Sequence, residues 1–384
     1  MDTTNVEVAL IGRNSTCKSS FLKAACSADT PPAKTTPPEA QVWWTPTFAP
    51  RQTELVQAPV HGFSSSGERL LPARLRQVSA AEVSGGEEGE RGIAILLVLA
   101  ADVVFHKGQP RPSRGGSNPV KAAVSRTRDR LGGGQVPFAV AVSVDVEDGA
   151  ELVPSTVKVF LASVRDDLAA EGVPFLPVSP RTELWLREQE SEGGRVAYRR
   201  GDSQFRIPSA FEQLMDMTAI ARARAAFDLC GGTGIMAAVS AAVALRPPTL
   251  VFPVGDFVTL QSWGWGGDGA PTAPLRTFRL LRALSTARDV YSAEKSEGIA
   301  SGDLVSAEIV PASADLAARE SPLPLELDKA IGGGAWVVRL VTTRKAAQVW
   351  KVGAAAASGG RGGKPLAGVQ FGDLRSKERR RGRS

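Results

Sequence analysis

The sequence predicts an α/β protein: a mostly parallel sheet with helices on both faces, followed by a C-terminal mixed region of unassigned fold. Three observations predict it. A strand-like run, Val6-Glu7-Val8-Ala9-Leu10-Ile11, stops at Gly12, and a helix-like segment from Cys17 to Ala25 follows within a few residues. The run Ile93-Ala94-Ile95-Leu96-Leu97-Val98-Leu99 is apolar without interruption, as a parallel strand buried on both faces must be. Strand-like and helix-like segments then alternate, the pattern of parallel strands joined by crossover helices.

The elements follow in order. After the opening strand and helix come strand candidates at 53–56 and 93–99, a helix over 120–131, a strand over 137–144, a helix over 157–171 and a strand over 173–178. Stretches rich in Gly, Ser and charge at 79–92 and 108–118 read as surface loops. A polar stretch, 188–201, separates the last strand from a helix over 210–229. Cys230-Gly231-Gly232-Thr233-Gly234 reads as a hinge, which sets expected boundaries of 1–229 for the first domain, 235–370 for a second region and 371–384 for a basic tail. Residues 235–245 are an apolar run stopped by Arg246-Pro247-Pro248. That run is well short of the ~20 residues a membrane helix needs, so it reads as a buried helix, and no membrane partner is expected. Residues 335–343 and 346–352 around Arg344-Lys345 read as a β-hairpin.

Composition narrows the function. At 43% apolar and 22% charged, the chain can bury a full core and is not of the disordered class. Two histidines (His61, His106) and three cysteines (Cys17, Cys26, Cys230) without CxxC spacing argue against a zinc site and a disulfide scaffold. Neither histidine has a carboxylate or serine partner at motif spacing. Met1 is followed by an acidic, polar segment, so neither a signal peptide nor a transit peptide is expected. The expected location is the cytoplasm, or an organelle if the true N-terminus is longer. The net charge is +6, yet Arg375-Ser376-Lys377-Glu378-Arg379-Arg380-Arg381-Gly382-Arg383-Ser384 holds six basic residues against one Glu. The tail therefore carries most of the excess and is expected to be disordered; it reads either as a solvated end or as an RNA contact through counterion release. Trp263-Gly264-Trp265 reads as a stacking platform or a small core cap, and Gly359-Gly360-Arg361-Gly362-Gly363-Lys364 resembles an RGG-type RNA-binding segment in single copy.

The motif that carries chemistry lies at the first strand's end. The phosphate loop pattern G-x-x-x-x-G-K-[ST] fits Gly12-Arg13-Asn14-Ser15-Thr16-Cys17-Lys18-Ser19 at the first Gly, the Lys and the Ser, and fails at Cys17. Backbone N–H groups of such a loop and of the following helix N-terminus face phosphate oxygens. Lys18 would neutralise phosphate charge, and the Ser19 hydroxyl would ligate Mg²⁺. A glycine at position 17 would let the backbone approach closely, so a side chain there is expected to weaken binding.

These residues, with Ser20-Phe21-Leu22, resemble the GRSNVGKSSL phosphate loop of EngB (YsxC)-type GTPases, which are tied to large-subunit ribosome assembly. Further segments match in order. Lys34-Thr35-Thr36-Pro37-Pro38-Glu39-Ala40-Gln41-Val42-Trp43-Trp44 resembles that family's switch I, and Leu55-Val56-Gln57-Ala58-Pro59-Val60-His61-Gly62-Phe63 resembles its LVDLPGYGF switch II. The strand ending in Ser143-Val144-Asp145 stands where the guanine-reading TKxD motif belongs, and Ser179-Pro180-Arg181-Thr182-Glu183-Leu184-Trp185 resembles the segment after the last strand. The resemblance covers about residues 5–190. It implies a P-loop GTPase-like domain binding GTP and Mg²⁺. The nucleotide residues would be Gly12, Asn14, Ser15, Thr16, Cys17, Lys18, Ser19, Ser20, Asp145 and Ser179, and the metal would sit on Ser19.

Departures from the family pattern shape the expected activity. Gln57 stands where an Asp holds Mg²⁺ through water, Val60 where a Gly N–H meets the γ-phosphate, and Ala40 where a Thr binds the metal. Asp145 is kept, and a carboxylate there can accept both the N1–H and the amine of guanine, although it also reads as the start of an acidic turn. The expected function is a GTP-binding protein with weak or no intrinsic hydrolysis, partnered by guanine nucleotide and by ribosomal RNA or a pre-ribosome. The alternative is a nucleotide-independent pseudo-GTPase acting as an RNA- or protein-binding module.

Overall fold

The computed structural model describes residues 7–12, 16–25, 39–44, 71–78, 93–111, 118–132, 136–145, 154–192, 194–198, 202–260, 279–296, 298–312 and 321–343. In chain order the first part comprises β1 (Glu7–Ile11), α1 (Thr16–Ala25), β2 (Glu39–Trp44), β3 (Leu71–Gln77), β4 (Ala94–Leu99), the short α2 (Ala101–Val104) and a small hairpin of β5 (Phe105–His106) and β6 (Gln109–Pro110). It continues with α3 (Pro119–Arg130), β7 (Ala139–Ser143), α4 (Pro154–Ala170), β8 (Phe175–Val178), α5 (Pro180–Ser191), α6 (Ser209–Glu212), α7 (Met217–Cys230) and α8 (Ile235–Leu245). The second part is β9 (Thr249–Val254), β10 (Arg279–Leu281), α9 (Ala287–Ser296), β11 (Leu304–Pro311), β12 (Leu323–Leu325) and β13 (Gly334–Thr342).

The first sheet has the order β2-β3-β1-β4-β7-β8. All neighbours run parallel except β2, which lies antiparallel on β3. Period-two alternation sends each strand's side chains to two cores. Val8, Leu10, Ala94, Leu96, Val98, Ala139 and Ala141 face α1 and α8, while Ala9, Ile11, Ile95, Leu97, Leu99, Val140 and Val142 face the layer of α2, α3, α4 and α7. Helices cover both faces, and this is the α/β, mostly parallel sheet that the sequence predicts. The second sheet has the order β10-β9-β13-β11-β12, with β9 and β13 parallel at its centre and the other pairs antiparallel. A hairpin, a helix and three further strands in this order form a β-grasp.

Several expectations change. The strand beside β1 is Leu71–Gln77, registered Leu10 opposite Gln77; the candidate at 53–56, with the whole of 55–63, lies outside the described residues. The expected helix over 210–229 is two helices, because the Asp216 side chain accepts the Thr218 N–H at 2.8 Å and caps a fresh start. The polar stretch 188–201 is partly structure: α5 runs on to Ser191, and Val196 and Tyr198 are buried. The strand expected at 335–343 is β13, but its two edges are taken by β9 and β11, so it is not the first arm of a hairpin with 346–352. Residues 346–352, 79–92, 263–265 and everything beyond 343 lie outside the described residues, the basic tail included.

The expected boundary at 229–235 falls within packed structure. The run 235–245 is a buried helix as predicted, and it lies against the first sheet, with Ile235, Ala238, Val239, Ala242 and Val243 fully buried. Small residues on the sheet face (Ala94, Ala139, Ala141) and on the helix (Ala238, Ala242) let the two approach closely. The same cluster continues into Leu250, Phe252, Val254, Leu280 and Val337 of the second sheet.

Candidate functional site

Gly12 ends β1 at the carboxyl edge of the sheet. It must be a glycine: a Cβ there would stand 2.5 Å from the Val98 carbonyl oxygen. The next described residues open α1, whose first turn carries Cys17, Lys18 and Ser19. Gly12, Cys17 and Lys18 line a cavity of about 680 Å³ with Gln77, Asp102 and Arg126. Lys18 is buried and lies close to Gly12 along its stem. Asn14 and Ser15 lie outside the described residues, Thr16 opens α1, and Ser20 is half-buried in that helix.

The Cys17 thiol donates to the Leu99 carbonyl at 3.7 Å. Burial, and after it the negative charge of Asp145, pushes this thiol up to about 12, so it stays protonated. Leu99 is in turn the partner of Val142 in β7, the strand that leads to Asp145.

Asp145 follows β7, and Ser179 follows β8. The structure brings them together: one Asp145 carboxylate oxygen accepts the Ser179 hydroxyl, and the other accepts the Arg181 N–H at 2.8 Å. The Ser143 hydroxyl accepts the Asp145 N–H at 3.1 Å, so the residue is held at backbone and side chain. Burial raises the Asp145 pKa above its ordinary value, opposed by the hydrogen bonds from Ser179 and Arg181. Ser179 is fully buried and caps α5 by accepting the Thr182 N–H.

A layer beneath, which sequence reading missed, supports this loop. Glu183 is fully buried, and one carboxylate oxygen accepts both the Tyr198 hydroxyl at 2.8 Å and the Thr233 hydroxyl at 2.7 Å. The Thr233 carbonyl in turn accepts the Ser179 N–H at 2.8 Å. The segment 230–234, expected as a hinge, is thus bonded into the base of the site. Gly234 is required there, with φ of +74° and a would-be Cβ 2.2 Å from the Pro177 oxygen. The sequence signal was present in Thr233 between three glycines, but its partners are 35 and 50 residues away.

Gln77 was missed as well. It ends the strand parallel to β1, where a phosphate-loop protein carries its metal-organising carboxylate, and its amide nitrogen donates to the Ser19 hydroxyl at 3.3 Å. The switch II position assigned to Gln57 in sequence is therefore filled at this strand end by Gln77. Among the described residues no group of three His, Cys, Asp or Glu side chains could hold a metal. Among the described residues the group hydrogen-bonded to Ser19 does not fit a Mg²⁺ ion: the Gln77 amide brings no charge, and its N–H is turned to the hydroxyl that would ligate the metal. His106 is exposed on the small hairpin, in keeping with a surface residue.

Comparison with known proteins adds the following. Residues 161–256, from α4 through β9, match a family model described as Obg-like GTPase YGR210-like, G4 motif-containing domain. The match covers Ser179, Glu183, Tyr198 and Thr233, and begins beyond Asp145. No curated protein matches the chain. Among solved structures, a GTP-binding protein from Pyrococcus horikoshii OT3 is similar at 14% identity, covering 88% of this chain and 100% of that one, with a TM-score of 0.46. The YchF GTPase of Schizosaccharomyces pombe is similar at 12% identity, covering 88% of this chain and 98% of that one, with a TM-score of 0.38.

Proposed function

We propose that this protein binds guanine nucleotide and hydrolyses it slowly or not at all. The observation that carries the reading is Asp145: its carboxylate is fixed by Ser179 and Arg181 N–H at the carboxyl edge of the sheet, next to the helix that bears Lys18. Each of its oxygens keeps a further lone pair for the guanine N1–H and amine. Lys18 and the N-terminus of α1 receive the phosphates. Slow turnover follows from the missing charge at Gln77, since catalysis of phosphoryl transfer is mostly positioning and electrostatics.

The partial family match, to an Obg-like GTPase model over residues 161–256, supports an Obg-like over an EngB-like relationship. A ribosomal RNA or pre-ribosome partner, with the tail after Leu374 as its electrostatic contact, is the extension of this reading. The test is calorimetric titration of the full chain with GDP, GTP and ATP. Guanine nucleotides should bind and ATP should not, and Lys18→Ala should abolish binding. Equal affinity for ATP and GTP would refute the role of Asp145. A full chain that binds ribosomal RNA but no nucleotide would establish the pseudo-GTPase alternative.

A further inference from the structure

We infer that this site takes its nucleotide without a divalent cation, the charge of the outer phosphates being met by Lys18 and by two guanidinium groups, Arg126 and Arg130. The inference rests on the guanine-nucleotide reading above and specifies how that site neutralises charge.

Three observations carry it. The first is the exchange at the metal position. Phosphate-loop proteins hold Mg²⁺ with the loop Ser or Thr and organise it with a carboxylate from a neighbouring strand. Here that strand end presents Gln77, whose amide N–H is given to Ser19. A neutral donor aimed at the ligating hydroxyl competes with a cation instead of attracting it.

The second observation is where α3 puts its charges. Lys121 and Arg128, seven residues apart, turn toward α4 and pair with Asp167 at 2.8 Å and Glu171 at 3.0 Å. Arg126 and Arg130, at a spacing of four and hence on one side of the helix, line the same cavity as Gly12 and Lys18. Among the described residues neither has a carboxylate partner, so α3 pairs its cations on one face and leaves them uncompensated on the face toward the phosphate loop.

The third is the charge balance of the cavity. Two guanidinium groups bring the two positive charges that one divalent ion would bring, and their planar forks suit phosphate oxygens at any pH of interest. Against Lys18, Arg126 and Arg130 stands one carboxylate, Asp102, which is exposed in the short α2. An anion is what this cavity lacks.

The experiment is equilibrium binding of a fluorescent guanine nucleotide to the full chain, in Mg²⁺ and in EDTA. Affinity should agree within about twofold between the two, whereas a Mg²⁺-organised site should lose at least about tenfold in EDTA. Arg126→Ala/Arg130→Ala should weaken binding about tenfold or more in both buffers, in proportion to two lost charge-assisted contacts. Both side chains are exposed, so the fold should be intact, as circular dichroism will show. Gln77→Asp should make binding dependent on Mg²⁺. A parent protein that needs Mg²⁺ overturns the inference, as does a double arginine variant that binds like the parent. If Asp102→Asn removes a Mg²⁺ requirement, the cation sits on Asp102 and the inference is wrong. Failure to bind in either buffer sinks the guanine-nucleotide reading itself, a pattern distinct from binding in Mg²⁺ alone.

Discussion

Asp145 and Gly12 show how single residues set the site. At Gly12 a methyl group would press on a backbone carbonyl that cannot yield. Gly12→Ala is expected to cost about 1–3 kcal/mol of stability; an unchanged urea midpoint would contradict the close approach. At Asp145 the sign of the pH effect follows from its raised pKa. The native state holds this proton more tightly than the unfolded chain does, so the favourable contribution is complete below the ordinary value of 3.8 and is lost as pH rises through the native value. Asp145→Asn does not titrate. The melting temperature of the parent should therefore fall relative to the Asn variant as pH is raised through that window. Guanine nucleotide should reverse the deficit at neutral pH, because its N–H donors satisfy the ionised carboxylate. Parallel pH profiles for the two proteins would show that the Asp145 carboxyl titrates alike in the native and unfolded states.

At the scale of elements, the support under the site is a set of three hydroxyl and carboxyl groups from three separate segments. Thr233→Val keeps the shape and removes one of two donors to the buried Glu183 oxygen, which should cost about 1–3 kcal/mol. Tyr198→Phe should act similarly. Their double-mutant cycle should show coupling of about 0.5–3 kcal/mol, since both serve one oxygen; strict additivity would mean that the donors act independently. These contacts also explain what the sequence could and could not reveal. Residues 93–99 were legible because burial on both faces of the strand leaves a continuous apolar run, and 235–245 because Ser240 alone interrupts its apolar residues before Arg246-Pro247-Pro248. β3 was not, because Leu71-Pro72-Ala73-Arg74-Leu75-Arg76-Gln77 interleaves arginines with apolar residues, and Arg76 finds Glu7 of β1 at 3.4 Å only once the strands are paired. With β3 misplaced, the metal position was assigned to Gln57, and Gln77 went unnoticed. The second sheet was illegible for a related reason: β9 and β13 are parallel partners more than eighty residues apart, and no local signal encodes that pairing. Asp145 and Ser179 were named together only through the family resemblance; the hydrogen bond that joins them spans 34 residues and has no local signal.

For the whole molecule, the decisive element is α8. By length and composition the stretch Met217–Leu245 could cross a membrane, but Gly231 and Gly234 take left-handed conformations and break it into two helices. Those helices then pack on opposite faces of the first sheet, α7 with one core and α8 with the other. Because α8 shares its cluster with Leu250, Phe252 and Val337, the apolar interior passes from the first sheet into the second without a polar layer between them. Two domains joined by a hinge would unfold separately; a shared core predicts one transition. Phe252 is fully buried on the face of β9 that joins this cluster. Phe252→Ala should remove about 3–5 kcal/mol from the whole chain, although the substitution lies outside the first sheet. Urea denaturation followed at once by far-ultraviolet circular dichroism and by the fluorescence of two variants checks this, one keeping only Trp185 and the other only Trp336 of the seven tryptophans, so that each reports on one part. The two probes should give a single midpoint in the parent, and that midpoint should shift as a unit in Phe252→Ala. Separate transitions, with only the Trp336 signal moving, would mean that α8 belongs to the first sheet alone and that the two sheets fold independently.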